Sequence, residues 1–233
     1  MFMRWKMHCS VCGGKHFSGK AVLWNDLINE WQISKAEVEY VNRQQGEKCD
    51  SCGSNLRSIA LAKGILSALN AEDRLLLDVA SDARYSHLKI LEINEAGTLT
   101  PTLRKFTGYR YCAYPEVDMH ALPFEDGEYD LIIHSDTLEH VANPVHALSE
   151  CRRVLKHRGA LCFTVPIIVG RMSRNRIGMG PSYHGPPNAL QSDMLVHTEF
   201  GADAWTYVME AGFSQVGIHS VAYPCATSIV AIK

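Results

Sequence analysis

The chain is short of several things, and each shortage excludes a class of protein. No apolar run reaches the roughly 18–20 residues that a membrane-spanning helix needs. The best candidate, Leu161–Gly170, is broken by Pro166. No sign of charge dominates: 23 Lys and Arg against 25 Asp and Glu leave a formal net charge of −2. That excludes a polybasic nucleic-acid tail. There is no internal repeat, and with 46% hydrophobic and 21% charged residues neither disorder nor a collagen-like fibre fits. Met1–His8 carries Arg4 and Lys6 but leads into no apolar stretch, so no signal peptide is read and a cytoplasmic location is expected. What remains is a globular chain of 233 residues, enough for one sizeable domain plus a small module.

Cysteine stands out in this ordinary composition. Four of the eight fall in two Cys-x-x-Cys pairs, Cys9/Cys12 and Cys49/Cys52, and a glycine follows each pair, Gly13 and Gly53. Two such pairs complete a tetrahedral four-cysteine site, and glycine suits the tight turn of each knuckle. A closed set of four thiolates points to structural Zn2+. A redox pair and four unrelated thiols are the rivals, and His8 and His16 are nearby substitute ligands. Residues 13–48 are too many for a compact zinc ribbon. Within them, Ser34-Lys35-Ala36-Glu37 reads as a capping box opening a short helix that ends near Gly46. Cys112, Cys151, Cys162 and Cys225 stand singly among apolar residues and are expected in the core.

The chain thus divides into a zinc-binding module over residues 1–54, a linking helix and connector over 55–87, and an α/β domain over 88–233. The linking helix is expected at Ser58–Leu69. Strands are expected at Leu88–Ile93, Tyr109–Tyr114, Tyr129–Ser135, Ala160–Pro166, Gln215–Val221 and Ser228–Ile232. Helices are expected at Pro101–Phe106, Pro144–Lys156 and Ala202–Ala211, with Pro144 in a first turn and Gly159 as a stop. This alternation implies a doubly wound sheet with its ligand beyond the carboxyl ends of the strands. Residues 167–195 read as a long irregular loop, of a length that usually carries function.

Three stretches bear chemistry. The first strand ends in Glu92-Ile93-Asn94-Glu95-Ala96-Gly97-Thr98. Asp118-Met119-His120-Ala121-Leu122-Pro123-Phe124 leads, through Asp126 and the strand at Tyr129, to Asp136-Thr137-Leu138-Glu139-His140. Arg153-Val154-Leu155-Lys156-His157-Arg158-Gly159 follows the next helix. Over roughly Lys89–Phe213 the chain resembles the class I S-adenosylmethionine-dependent methyltransferases, in particular the type 11 group. Paired knuckles ahead of such a domain also occur in bacterial methyltransferases of this kind.

The resemblance implies a Rossmann-like, seven-stranded sheet with S-adenosyl-L-methionine across its carboxyl edge. It places the family's acid-x-G-x-G-x-G loop on Glu92, Asn94, Ala96 and Thr98, with Gly97 between. The acid is kept and the motif glycines are replaced, although Asn94 tolerates positive φ and Ala96 is small. It implies that Asp118 meets the adenine amino group, that Met119 packs on the ring, and that Ser135 and Asp136 edge the pocket. Asp118 as a plain turn cap is the alternative. Glu116 stands in for the ribose-binding acid, with no room for the helix that usually follows. Asp136, Glu139 and His140 match a divalent-cation set found in some related methyltransferases; orienting the loop above the cofactor is their commoner use.

The implied activity is methyl transfer to an oxygen or nitrogen of a small molecule, with alignment supplying much of the rate. His184 and His140 are the candidate catalytic residues, and Tyr183 and His197 are further candidates for substrate contact. Arg171, Arg174 and Arg176 would grip an anionic acceptor, or else form a solvated face. A non-catalytic binding or scaffold protein is the first rival, motivated by the replaced glycines. A nucleic-acid methyltransferase guided by the zinc module is the second; six acids against three bases over residues 21–52 argue against it.

Overall fold

The computed structural model describes residues 7–183 and 191–233. Its centre is a sheet of six strands in the order Gln215–Val221, Ala226–Ile232, Leu155–Thr164, Tyr129–Ser135, Lys89–Ile93, Gly108–Cys112. The last four run parallel to one another, and Ala226–Ile232 is antiparallel to both of its neighbours. The parallel strands are continuous apolar runs because both faces are covered. Ile90, Leu131, Ile133, Cys162 and Val230 face one core, with the helix Leu56–Ala68. Leu91, Ile93, Ile132, Leu161 and Phe163 face the other, with the helices Pro144–Val154 and Ala204–Glu210. The four single cysteines are buried in these cores. No helix among the described residues is long and apolar enough to cross a membrane.

The doubly wound architecture stands, but the sheet has six strands among the described residues, not seven. Residues 113–128 run as turns, with Val117 N donating to Ala113 O and Ala121 N to Asp118 O. Pro115 and Pro123 remove donors that a strand ladder would use. The sheet therefore ends at the half-exposed strand Gly108–Cys112. Gly159 is no helix stop: the helix closes at Val154, and Gly159 lies inside the strand Leu155–Thr164. A Cβ there would meet Lys156 O at 2.9 Å and Asp130 O at 3.2 Å.

Helix Leu56–Ala68 is an integral layer of the sheet domain. It is apolar on nearly every side, as a buried helix must be. The Asn55 side chain caps it by accepting from Ser58 N at 2.9 Å, and Ser228 Oγ donates to Ala60 O at 2.7 Å. Cys9, Val11 and Cys49 join the same core, so the cysteine module packs onto the domain. Its knuckle carbonyls at Ser10 and Val11 accept from Leu76 N and Leu77 N at 2.9 and 3.1 Å. They thereby satisfy amides that the start of helix Leu76–Ala80 would otherwise leave bare.

The insert between the pairs holds the helices Asn25–Glu30 and Lys35–Gly46. The second starts at the expected capping box on Ser34 and Glu37. The irregular stretch after Thr164 is partly ordered as a three-stranded sheet, with Thr198–Gly201 between Ile167–Ile168 and Arg174–Asn175. Leu27, Trp31 and Ile33 of the insert pack with Ile168 and Val196 of this region. The insert thus lies against the segment that leaves the carboxyl end of a central strand.

Candidate functional site: the carboxyl edge and the cysteine cluster

The four sulfurs of Cys9, Cys12, Cys49 and Cys52 lie within 4.8 Å of one another. Cys9 Sγ is 3.6 Å from Cys52 Sγ, and Cys12 Sγ is 3.7 Å from Cys49 Sγ. Four sulfurs bound tetrahedrally at a zinc–sulfur distance of about 2.3 Å sit about 3.8 Å apart, so the donor set fits one ion of that size. Both knuckle glycines have the left-handed backbone the turn requires, φ 78° at Gly13 and 75° at Gly53. Their amides donate to Cys9 O and Cys49 O at 2.7 and 2.8 Å. His8 and His16 are not part of this cluster.

The second centre lies where three parallel strands end, at Ile93, Ser135 and Thr164. Glu92 is fully buried. Its Oε1 accepts from Ala96 N at 2.7 Å and Thr100 Oγ1 at 2.6 Å, and its Oε2 accepts from Tyr109 Oη at 2.5 Å. The carboxylate is spent on bracing the loop that follows. In that loop Asn94 takes φ 55° and Gly97 takes φ 58°, so positive φ survives the loss of the motif glycines. Asn94 Oδ1 accepts from Tyr114 N at 3.1 Å, tying the loop to the end of the neighbouring strand. Ala96 is buried, and Gly97 lies close to Ser58 at the start of helix Leu56–Ala68.

Ser135 Oγ and Thr164 Oγ1 share a hydrogen bond of 2.7 Å, and Asp136 N donates to Thr164 O at 3.0 Å. Asp136 itself has φ 49° and pairs with Arg57. Arg57 is the residue that reading the sequence missed. Its side chain is 5% exposed, and its Nε and Nη2 have no hydrogen-bond partner among the described residues. Asp136 Oδ1 and Glu139 Oε2 are also buried without partners. Burial lowers the Arg57 pKa to about 10, which leaves it cationic at neutral pH. Burial raises that of Glu139. One signal was present in the sequence: Arg57 shares a helical face with Ala60, Leu61 and Gly64, a buried stripe in which an unpaired cation is out of place.

Asp136, Glu139 and His140 are not brought together as a metal-ligand set among the described residues. The cysteine cluster is the one group among the described residues whose ligand atoms converge closely enough. Asp136 turns to Arg57, and His140 Nδ1 donates to Leu195 O at 3.1 Å. His140 Nε2 is 3.8 Å from Glu139 Oε1. His197 lies beside this group, its amide donating to Glu139 O at 2.8 Å. Burial, then the neighbouring histidines His140 and His120, lower its pKa.

Glu116 and Asp118 are exposed on the turn after Cys112, and Met119 is buried in the second core. Asp118 Oδ1 accepts from His120 N at 2.8 Å and His120 Nδ1 at 2.9 Å, a turn-capping pattern that lowers its pKa. His184 lies outside the described residues, and Tyr183 bridges Leu195 on the irregular segment. The three arginines do not form an anion grip. Arg171 pairs with Glu37 at 2.9 Å, Arg174 with Glu199 at 2.7 Å, and Arg176 with Glu199 and Glu30. Sequence spacing showed the cations but not the acids folded against them.

Comparison with known proteins adds a family. Residues 84–163 match Methyltransf_11, a methyltransferase domain. An uncharacterized 37.1 kDa protein in transposon TN4556 of Streptomyces fradiae is 47% identical over 49 residues, 21% of this chain and 14% of that protein. The ubiquinone biosynthesis O-methyltransferase of Albidiferax ferrireducens is 26% identical over 154 residues, 64% of this chain and 55% of that protein. A SAM dependent methyltransferase from Aquifex aeolicus is similar in structure, with TM-score 0.41 and 14% identity over 67% of this chain and 96% of that one. The chain therefore spans little more than half the length of either curated relative at most.

Proposed function

On the premise that residues 84–163 are a methyltransferase domain of the class I S-adenosylmethionine-dependent type, we propose that the protein moves a methyl group to an oxygen or nitrogen of a small molecule. S-adenosylmethionine, when bound, supplies an electrophilic methyl on a sulfonium and leaves as the neutral thioether. The observation that carries this reading is the pair of buried Arg57 with half-buried Asp136, partnerless atoms on both sides among the described residues, next to residues that touch the loop 94–97. A guanidinium next to a carboxylate is the counterpart of an amino-acid tail, which presents a carboxylate next to an ammonium.

The other residues are assigned accordingly. Glu92 braces the loop so that Asn94, Ala96 and Gly97 bring backbone close to the cofactor. Ser135 and Asp136 edge the pocket. Asp118, with Met119 beneath it, and Glu116 flank the adenosine side. His140 keeps Nε2 as its basic nitrogen because Nδ1–H is held by Leu195 O, and it is the proton acceptor we assign; His184 is the alternative. The four thiolates hold a structural Zn2+. Calorimetric titration with S-adenosylhomocysteine tests the reading: one site per chain is expected, and no heat at millimolar ligand on folded protein would overturn it.

A further inference from the structure

Next to the carboxyl edge, the insert between the two cysteine pairs encloses a cavity of about 220 Å³. Trp24, Leu27, Trp31 and Gln44 line it from the insert, and Ile167 and Ile168 from the sheet domain. Among the described residues, no acidic or basic side chain lines it. Trp31 is held in place: its indole N–H donates to Ser182 Oγ at 2.9 Å, and the Arg176 guanidinium lies 5.5 Å from its ring centre. Arg171 fastens this wall to the domain, with bonds of 2.7 Å to the carbonyls of Trp31 and Gln32 and of 2.9 Å to Glu37. Pro166 also lines the cavity, two residues past Thr164, whose hydroxyl bonds Ser135. Two residues of extended chain span about 7 Å, so the cavity wall begins within about that distance, along the chain, of the strand end at the cofactor edge.

We propose that this cavity is the methyl-acceptor site, and that the acceptor is an uncharged, mostly apolar ring compound presenting one hydroxyl or amine. The proposal rests on the methyl-transfer reading above. A charged acceptor would lose its hydration here without gaining a counter-ion. Two indoles favour a flat ring. The buried Gln44 amide, with Gln45 beside it, supplies the polar side chains that orient the ring. The volume lies below the roughly 300–1,000 Å³ common for ligand pockets, which limits the acceptor to one or two rings. Since the insert runs from Cys12 to Cys49, the metal cluster acquires a role in function: it anchors both ends of the acceptor wall.

The test uses full-length, zinc-loaded protein and two probes, 2-naphthol and its anionic counterpart naphthalene-2-sulfonate, measured by equilibrium dialysis. S-adenosylhomocysteine is titrated separately. We expect 2-naphthol to bind saturably at one per chain, and naphthalene-2-sulfonate at least tenfold more weakly. Val22 also lines the cavity, and Val22→Trp, which fills it, should weaken 2-naphthol at least tenfold and leave S-adenosylhomocysteine within twofold. If S-adenosylhomocysteine binds but 2-naphthol does not saturate, the acceptor-site proposal fails and the methyl-transfer reading survives. Equal binding of the two probes likewise overturns it, even where Val22→Trp does not fold. If 2-naphthol binds as expected and S-adenosylhomocysteine does not, the methyl-transfer reading fails and the cavity stands as a binding site alone.

Discussion

Mild acid should destabilise the sheet through His134. This residue sits in the strand Tyr129–Ser135, fully buried, with both ring nitrogens lacking a partner among the described residues and its ring stacked on Phe163 at 4.9 Å. Burial drops its pKa from 6.5 to about 3. Between those values the unfolded chain binds a proton that the folded chain refuses, so stability falls as the pH falls. The contribution is fully present above pH 6.5 and is lost at about 1.4 kcal/mol per unit below it. Going from pH 7.5 to 5.0 crosses about 1.5 such units, a loss of about 2 kcal/mol. The assay is urea unfolding of the wild type and His134→Leu at matched pH. Zinc release and carboxylate titration are common to both and cancel in the difference. The wild type should lose about 2 kcal/mol relative to the variant over that range. Parallel pH profiles for the two proteins would refute the reasoning.

Other tests address separate parts of the structure. Cys49→Ser should lose the one equivalent of zinc expected in purified wild type, read by elemental analysis; a folded, metal-free wild type would contradict the cluster's assignment. Glu37→Gln should weaken the fastening of the insert to Arg171, costing on the order of 1–2 kcal/mol, because a charge-assisted bond becomes a neutral one. Arg171 holds the Glu37 carboxyl down at about 2, so its contribution is present above pH 4.5 and is lost as the pH falls from there towards 2. Denaturation curves of Glu37→Gln should accordingly converge on the wild type near pH 2, and a gap that persists there would contradict the pairing.

Much of this architecture was legible because local signals agreed with the fold. Tyr129–Ser135 and Gln215–Val221 begin and end where their apolar patterns do, and the capping box at Ser34 sits where its residues place it. The cysteine cluster was legible because two knuckles with trailing glycines are local motifs, and the fold brings their four sulfurs together. What the sequence hid was long-range. Arg57 lies on an apolar helical face, but its partner Asp136 comes into view only once the helix is docked against the sheet. The acids that neutralise Arg174 and Arg176 come from Glu199 and Glu30, far along the chain. The seventh strand was expected from family resemblance, but residues 113–128 are too short and too rich in turns to form it. The insert's cavity was invisible for the same reason as Arg57: its walls come from segments more than 100 residues apart.

The account turns on whether Arg57 receives the cofactor's amino-acid tail. The most direct measurement compares S-adenosylhomocysteine with 5′-methylthioadenosine, which lacks that tail, on the wild type and on Arg57→Met. The account predicts that the substitution weakens S-adenosylhomocysteine at least tenfold, about 1.4 kcal/mol or more, and leaves methylthioadenosine within twofold. Equal losses for both ligands, or none for either, would contradict it.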